Sequence, residues 1–306
     1  MRILFAGTPH VALPTLEWIF SSEHELVGVL TRPAAAQGRS SELINSPVAT
    51  FAKIHSIPIY ASIDLSETKK AIQSADLVVV IAYGKLIPEE FLQMPKHGWI
   101  NVHFSILPKY RGAAPVQRAI WNGEESTGIS IFQLDPGMDT GPIYEQKSAA
   151  IVPTESAGDC LARLSQIVPE LLIQTLSKIQ NLEQPIPQNE DGATLAPKID
   201  KSELRINWSD SARQIQNKIR ALNPTPRART TFRENEIYVF EVAVSDNKST
   251  QPPGSIFAVN QHLYVATEEL DIEIIKIQSS GKKVMSGSEW CRGVQMKENP
   301  LENRYV

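Results

Sequence analysis

The sequence predicts an open, doubly wound, mostly parallel α/β sheet followed by a smaller all-β domain. In the first half of the chain, short apolar runs alternate with helix signals, which is typical of parallel strands joined by helical crossovers. In the last third, short strand patterns recur between turn residues with no helix pattern between them. A chain of 306 residues is also long enough to build two hydrophobic cores.

Each strand of the first half is an apolar run that stops at a turn or helix signal. Residues 76–83 form the clearest run, because a β-branched stretch without polar alternation is typical of a strand buried on both faces. Thr8 and Pro9 are suited to the N-cap and the first position of a helix. The predicted strands are 2–6, 26–30, 57–60, 76–83, 100–104, 128–135 and 143–151, and the predicted helices are 9–20, one starting at 46–47, 66–74, 114–122 and 154–180.

A polar, proline-rich stretch at 184–192 marks the end of the first domain. We therefore expect a first domain over 1–190, a linker over 191–208 and a second domain over 209–306. Short strands between turn signals predict that the second domain is a barrel or a sandwich. Its predicted strands are 236–244, 254–259, 263–266 and 271–277.

Composition and charge disfavour several classes of protein. The chain is 42% hydrophobic and 21% charged with a net charge of −4, as in a globular protein that does not coat nucleic acid or lipid. Two cysteines, no signal run and no stretch of about 20 apolar residues favour a cytoplasmic protein without a membrane span. Residues 198–233, however, hold nine basic and three acidic side chains. This stretch is either a confined contact for a polyanion or an ordinary solvated face.

The densest group of polar side chains lies at the end of the strand predicted at 100–104. Asn101 and His103 are two residues apart, so both side chains point to the same face of an extended strand. Open α/β sheets bind their ligands at the carboxyl ends of strands, and a positively charged turn at 107–112 follows directly. We predict a functional site here, the alternative being two side chains that only form local hydrogen bonds.

A second polar group occupies the loop at 134–142, where two glycines and two prolines surround Asp135 and Asp139. From the residues alone, Asp139 either meets His103 in space or only stabilises a turn of the backbone. Gly7 follows the first strand, but the sequence has neither the glycine fingerprint of a dinucleotide site nor a Walker motif. A nicotinamide-dependent reductase is therefore disfavoured.

Together these segments resemble the 10-formyltetrahydrofolate-dependent formyltransferases. The resemblance rests on Asn101 and His103, on the loop 105–112, and on the aspartate and glycine pattern of 135–141. Further segments are similar to the family members that formylate methionyl-tRNA, and these segments are 5–9, 46–48, 82–88, 112–117 and 219–224. The resemblance covers nearly the whole chain. It implies a Rossmann-like formyltransferase domain followed by an OB-like barrel.

The resemblance also implies a reaction and the residues that perform it. An amine attacks the formyl carbon on N10 of 10-formyltetrahydrofolate, and Asn101 and His103 stabilise the oxyanion that forms. Asp139 orients His103 and helps to manage the proton that leaves the amine. No metal is implied. The residues expected to bind the folate are Ala82, Tyr83, Gly84, Leu86, Ser105, Pro108, Lys109, Tyr110 and Arg111.

For the second substrate the resemblance implies an initiator methionyl-tRNA, and hence a role in translation initiation. Arg39, in an insertion at 31–41, is expected to reach the acceptor end of the tRNA. Lys198, Lys201 and Arg220 are expected to follow its backbone, so that binding weakens steeply with salt. The family also implies a monomer.

Other functions remain open from the sequence. A formyltransferase acting on an amino sugar nucleotide would keep Asn101, His103 and Asp139 but would not need the basic stretch. A purine-pathway formyltransferase would lack the strand-rich tail, and a folate hydrolase would use water as the nucleophile. A non-catalytic RNA-binding protein would not need an intact site. The site residues combined with the basic stretch favour transfer to tRNA.

Overall fold

The computed structural model describes residues 1–36, 42–294 and 304–305. The chain folds into two compact units. The first unit contains 1–115, 127–150 and 161–196, and the second contains 116–126, 151–160 and the chain from Pro197 onward. The domain boundaries inferred from the sequence remain a prediction about which segments fold independently.

Strands and helices alternate through most of the first unit. Among the described residues, no helix is long and apolar enough to cross a membrane. The strands are β1 (Arg2–Gly7), β2 (Glu25–Leu30), β3 (Ala35–Ala36), β4 (Leu43–Ile44), β5 (Ile59–Tyr60), β6 (Leu77–Ile81), β7 (Trp99–His103), β8 (Ser126–Gln133), β9 (Ile143–Ala150), β10 (Ala228–Phe232), β11 (Asn235–Val244), β12 (Ile256–Val259), β13 (His262–Val265), β14 (Ile272–Ser279) and β15 (Met285–Ser286). The helices are α1 (Leu13–Ser21), α2 (Pro47–Ile54), α3 (Ser66–Ser74), α4 (Glu89–Leu92), α5 (Pro115–Trp121), α6 (Ala157–Ser165), α7 (Val168–Gln180), α8 (Ala212–Ala221) and α9 (Gly287–Gly293).

The first unit is built on a seven-stranded sheet with the order β5-β2-β1-β6-β7-β8-β9. The pairs β5–β2, β2–β1, β1–β6 and β6–β7 are parallel, and β7 pairs with β8 in the antiparallel sense. All five residues of β6 are buried, as its continuous apolar run predicted. The chain winds outward in opposite directions from β1 and β6, so the carboxyl ends of these strands form the topological switch point at which such sheets bind ligands. The predicted doubly wound, mostly parallel sheet is confirmed.

The first predicted helix begins later than the sequence suggested. A 3₁₀ turn at His10–Ala12 follows Pro9, and α1 starts only at Leu13. Thr8 does not act as an N-cap, because its hydroxyl donates to the carbonyl oxygen of Tyr83 at 3.0 Å. Thr8 therefore links the end of β1 to the loop that follows β6, a long-range contact that local sequence rules do not report.

The long helix predicted at 154–180 is two helices, α6 and α7. The break falls before Pro169, which occupies one of the first two positions of α7. A proline has no backbone N–H to donate and its ring displaces the carbonyl four residues earlier, so it is tolerated in a first turn but not in the middle of a helix. Residues 154–156 lie outside the helix, where the Ser156 hydroxyl accepts from the Asp159 backbone N–H at 3.2 Å.

The second unit contains a largely antiparallel sheet with the order β10-β11-β14-β13-β12, and β15 pairs with β14. The expectation of a smaller, strand-rich second domain is confirmed. The sequence missed β10 and α9, and it did not give the bounds of α8, which begins at a capping box formed by Ser211 and Gln214. An apolar cluster that includes Trp208, Ile219 and Trp290 forms the core of this unit.

Candidate active site

The end of β7 carries the two polar side chains that the sequence singled out. β7 lies between β6 and β8, so it is an interior strand of the sheet. His103 is buried with 5% of its surface exposed, while Asn101 is half-buried. Because residues two apart on a strand share a face, the Asn101 carboxamide and the His103 ring belong to the same side of the sheet. The Asn101 side chain makes no hydrogen bond to any described residue, which leaves its amide free for a ligand.

The His103 ring is held by contacts on both of its nitrogens. Its Nε2 lies 2.8 Å from the carbonyl oxygen of Tyr110. Since a carbonyl oxygen only accepts, Nε2 carries the proton of this hydrogen bond. Its Nδ1 faces the Asp139 carboxylate at 3.6 Å. The structure therefore brings His103 and Asp139 together, and the shorter, orienting contact comes from the Tyr110 carbonyl rather than from the carboxylate.

Burial favours the uncharged form of the His103 ring. Burial lowers the pKa of His103 from its usual value, and this effect outweighs the opposing influence of the Asp139 carboxylate and the Tyr110 carbonyl. A neutral ring with its proton on Nε2 leaves a lone pair on Nδ1. That nitrogen can accept a proton, and the carboxylate 3.6 Å away then stabilises the imidazolium. The pair is therefore arranged as a proton acceptor with a neighbouring counter-charge.

The loop between β8 and β9 fixes the Asp139 carboxylate. Asp139 has a left-handed backbone with φ of 55°, a conformation that costs a residue other than glycine about 1 kcal/mol or more. Its Oδ2 accepts a hydrogen bond from the Gly112 N–H at 2.8 Å. Gly141 is needed for close approach, since a Cβ there would lie 1.8 Å from the carbonyl oxygen of Gln133. The carboxylate is thus placed by backbone contacts from two loops.

The loop after β7 is folded by its own polar groups. The Ser105 hydroxyl donates to the Lys109 carbonyl at 2.6 Å, and the buried Ser130 hydroxyl accepts from the Leu107 N–H at 3.0 Å. Tyr110 is buried, Pro108 is half-buried and the Lys109 side chain is exposed. Of the residues expected to bind folate in this loop, Lys109 therefore presents its side chain to solvent, and the Ser105 hydroxyl is already used inside the loop.

The Arg111 guanidinium is also engaged within the protein. It is buried and donates to the Gln188 side-chain oxygen at 2.8 and 3.1 Å and to the two Glu190 carboxylate oxygens at 2.9 and 3.0 Å. This arginine supports the loop, and its contact with folate remains a prediction. Gln188 and Glu190 were not singled out in the sequence, because they lie in the polar, proline-rich stretch that was interpreted as the end of a domain.

The loop after β6 presents backbone and one apolar side chain. Ala82, Gly84 and Leu86 are exposed, and Leu86 has 86% of its surface accessible. Tyr83 points the other way, since the whole residue is 2% exposed and belongs to the core of the first unit. Its carbonyl oxygen accepts from the Thr8 hydroxyl, so a contact of Tyr83 with folate remains a prediction. The exposed part of this loop suits a flat, apolar group lying on it.

The candidate tRNA residues differ in how available they are. Lys198 and Lys201 are exposed. Arg220 is half-buried, and its guanidinium donates to the Asn217 side-chain oxygen at 3.0 Å and to the Val152 carbonyl at 3.4 Å. Arg39 lies outside the described residues. The nearby Lys218 is buried over the Trp121 ring, 5.1 Å from its centroid, so it does not contribute to a basic surface.

Comparisons with known proteins identify relatives over nearly the full length. The family model "Formyl transferase" matches residues 1–176, and "Formyl transferase, C-terminal domain" matches 198–295. The methionyl-tRNA formyltransferase of Salinispora tropica is 40% identical over 302 residues, covering 97% of this chain and 98% of the relative.

Solved structures share the fold. HypX from Aquifex aeolicus in complex with tetrahydrofolic acid has a TM-score of 0.70 at 17% identity over 95% of this chain, and this chain spans 46% of HypX. The methionyl-tRNA formyltransferase of Clostridium thermocellum has a TM-score of 0.60 at 19% identity, covering 90% of this chain and 99% of that protein. At these identities the likeness concerns the fold alone.

Proposed function

The chain belongs to the formyl transferase family, and from this premise we propose that it transfers the formyl group of 10-formyltetrahydrofolate to the amino group of methionyl initiator tRNA. The choice of methionyl-tRNA as the acceptor is supported by the 40% identity to a methionyl-tRNA formyltransferase over 97% of this chain. The folate donor is supported by the family and by the tetrahydrofolic acid complex of the HypX relative. Such an enzyme acts in translation initiation, in the cytoplasm.

The reaction forms one C–N bond and breaks another. The methionyl amine, in its neutral form, attacks the formyl carbon, and the carbonyl oxygen becomes an oxyanion. The tetrahedral intermediate then collapses, the bond from that carbon to N10 of the folate breaks, and N10 must gain a proton. The amine nitrogen loses a proton over the same steps. The site therefore has to stabilise a negative oxygen and to carry one proton from nitrogen to nitrogen.

In the proposed mechanism Asn101 stabilises the oxygen and His103 moves the proton. The neutral His103 ring uses its one N–H on the Tyr110 carbonyl, so it does not donate to the oxyanion as the resemblance implied. The Asn101 amide, free of other hydrogen bonds within the described residues, donates to the oxyanion, an interaction typically worth about 3–4 kcal/mol. His103 Nδ1 takes the proton from the attacking amine, because its lone pair is the basic atom that faces away from Tyr110. The Asp139 carboxylate at 3.6 Å stabilises the imidazolium until the proton passes to N10.

The donor fits the two loops that flank these residues. The exposed Leu86 side chain and the backbone of Ala82 and Gly84 provide a surface for the pterin ring. Lys109 is exposed on the other loop and supplies a positive charge for the carboxylates of the folate tail. In this arrangement Arg111 does not touch the folate. It acts indirectly, by holding the loop that carries Lys109 in place.

An acceptor assay tests the proposed function directly. With 10-formyltetrahydrofolate labelled in the formyl group, we expect label in methionyl initiator tRNA and none in an amino sugar nucleotide. Methionyl-tRNA whose amine is acetylated is the matched control, since it keeps the same tRNA but its amide nitrogen is not a nucleophile. Label in the amino sugar alone would establish the alternative acceptor and refute the proposed one.

Removing exposed lysines from the second unit should weaken tRNA binding selectively. We expect Lys198→Ala and Lys201→Ala each to raise KM for methionyl-tRNA several-fold while KM for the folate stays within about twofold, because phosphate contacts contribute to affinity through charge. Each variant should also reduce the slope of log KM against log salt by about 1. Steady-state kinetics between 50 and about 200 mM salt measures both.

The matched control for these lysines is Lys96→Ala, an exposed lysine of the first unit. This variant should keep the wild-type salt slope and both KM values. Equal losses of tRNA and folate affinity in the Lys198 and Lys201 variants would show that these side chains are not phosphate contacts.

A further inference from the structure

Gln188 lies between the loop after β7, which holds the His103 ring, and the loop after β8, which carries Asp139. Its side chain is half-buried and makes four hydrogen bonds, two as acceptor and two as donor. The side-chain oxygen accepts from Arg111 Nε at 3.1 Å and from Arg111 Nη2 at 2.8 Å. The side-chain nitrogen donates to the carbonyl oxygens of Asp139 and Gly141, each at 2.8 Å. One carboxamide thus joins the loop after β7 to the loop after β8.

The chemistry of these partners specifies an amide. A guanidinium only donates and two backbone carbonyls only accept, so the side chain between them must accept at one end and donate at the other. Glutamate would accept from Arg111 but would present an oxygen to the two carbonyls. Methionine has a similar length but fills neither role. The orientation of the Gln188 amide is also determined, since turning it by 180° would oppose donor to donor and acceptor to acceptor.

The two residues that Gln188 joins bear directly on His103. Arg111 lies between Tyr110, whose carbonyl accepts from His103 Nε2, and Gly112, whose N–H donates to the Asp139 carboxylate. Asp139 has a left-handed backbone with φ of 55°, and the Gln188 amide bonds to the carbonyl oxygen of this residue. A backbone held in an unfavourable conformation depends on such outside contacts.

We propose that Gln188 is a positioning residue that sets the approach of the Asp139 carboxylate to His103 by joining the two loops. The proposal rests on the function proposed above, in which this pair carries the proton. Gln188 itself does not touch the reacting atoms. Its effect is expected on turnover rather than on substrate affinity, because the loops that bind the folate and the tRNA keep their other contacts.

The test compares Gln188→Met with Gln188→Glu in the full chain. Both variants lose the two donor contacts to the Asp139 loop, whereas Gln188→Glu keeps the acceptor for Arg111 and so guards against a loss of folding. We expect kcat for formyl transfer to fall by about 100-fold in both, as for a displacement of about 1 Å in a reacting group, with KM for each substrate within about threefold. Thermal stability should fall less in Gln188→Glu than in Gln188→Met, because only the latter leaves the buried Arg111 guanidinium without this acceptor.

A second readout separates positioning from general structural damage. In NMR titrations of the histidine rings, the midpoint of His103 should move to lower pH in Gln188→Met, because the Asp139 carboxylate, the charged group that faces the ring, moves away. Gln184→Met is the matched control, since Gln184 is an exposed glutamine whose amide donates to the nearby Leu182 carbonyl at 3.4 Å and not to either loop of the site. It should match the wild type in kcat and titration.

Two results would overturn the proposal. A kcat within about twofold of the wild type in both Gln188 variants would show that the contact is dispensable, because a misplaced Asp139 carboxylate should lower kcat by about 100-fold. A lower kcat with an unchanged His103 midpoint would show a structural role only. If the wild-type protein transfers no formyl group to methionyl-tRNA, the proposed function fails, while the His103 titration still decides whether Gln188 positions Asp139.

Discussion

Replacing His103 by glutamine should lower kcat for formyl transfer by about 1000-fold, because general-base catalysis contributes about 10²–10⁴-fold and Nδ1 is the basic atom of the site. Glutamine reaches about as far as the imidazole and keeps an N–H that can donate to the Tyr110 carbonyl, a contact that is 2.8 Å long in the structure. It has no titratable nitrogen. The fold and the affinity for folate should therefore survive while turnover is lost, which steady-state kinetics and a folate-binding titration measure separately.

The pH dependence of the same pair of proteins sharpens this test. Burial lowers the pKa of His103 below its usual 6.5, so the neutral, proton-accepting ring is fully present above pH 6.5 and disappears only as the pH falls through the lowered value. The attacking methionyl amine also titrates, so the quantity to follow is wild-type kcat divided by kcat of His103→Gln, in which the ionisation of the amine cancels. This ratio should hold constant down to pH 6.5 and fall only as the pH passes through the lowered pKa of His103.

The matched control is His55→Gln, the same replacement at an exposed histidine of the first unit. It should keep both kcat and the pH dependence of the wild type. Wild-type turnover in His103→Gln would mean that another group accepts the proton. A fall of the ratio of wild-type kcat to that of His103→Gln centred above pH 6.5 would mean that the pKa of His103 is raised rather than lowered and that burial does not dominate its titration.

Local patterns were enough to predict the sheet and the edge at which the site lies. The apolar run at 76–83 became β6, and the strand at 100–104 became β7 with Asn101 and His103 at its end. Both strand predictions depend on the pattern of apolar and polar residues over a short segment, and this pattern can be taken directly from the sequence. The proximity of His103 and Asp139 followed only from the resemblance, since the residues alone left Asp139 as a turn or as a partner.

The parts that the sequence did not predict depend on backbone atoms and distant partners. The contact that orients His103 comes from the carbonyl of Tyr110, a residue with φ of 63°, and a carbonyl has no signature in the sequence. The partners of Arg111 lie 77 and 79 residues further along the chain. From its composition, the stretch around Gln188 was interpreted only as the end of the first domain, and its contacts show that it supports the site.

The number of basic residues in a segment does not show which of their side chains face solvent. Within 198–233, Lys218 is buried over an aromatic ring, and Arg229 pairs with Glu236 at 2.9 Å. Lys198 and Lys201 are exposed, as a contact for a polyanion requires. Net charge predicts the sign of a surface, but the burial of each side chain decides how much of that charge a ligand meets.

Replacing Tyr305 by alanine should destabilise the second unit by about 3–5 kcal/mol, the cost of removing a buried aromatic ring. Tyr305 is 2% exposed, and its ring stacks on that of Trp208 with the ring centroids 5.5 Å apart. The ring centroids of Phe232 and Trp290 each lie 5.9 Å from that of Tyr305. A loss of this size should lower the unfolding temperature by about 10 °C, since each kcal/mol shifts it by about 2–4 °C in chains of this scale. Scanning calorimetry measures the shift.

The matched variant Tyr305→Phe should have the opposite sign. The Tyr305 hydroxyl is buried and has no hydrogen-bond partner among the described residues, whereas Trp208 Nε1 donates to the Thr230 hydroxyl at 3.0 Å. A buried polar group without a partner costs about 1–3 kcal/mol, so removing it while keeping the ring should stabilise the unit. A lower unfolding temperature in Tyr305→Phe would show that the hydroxyl is satisfied in solution. An unchanged temperature in Tyr305→Ala would show that the ring does not stabilise this core.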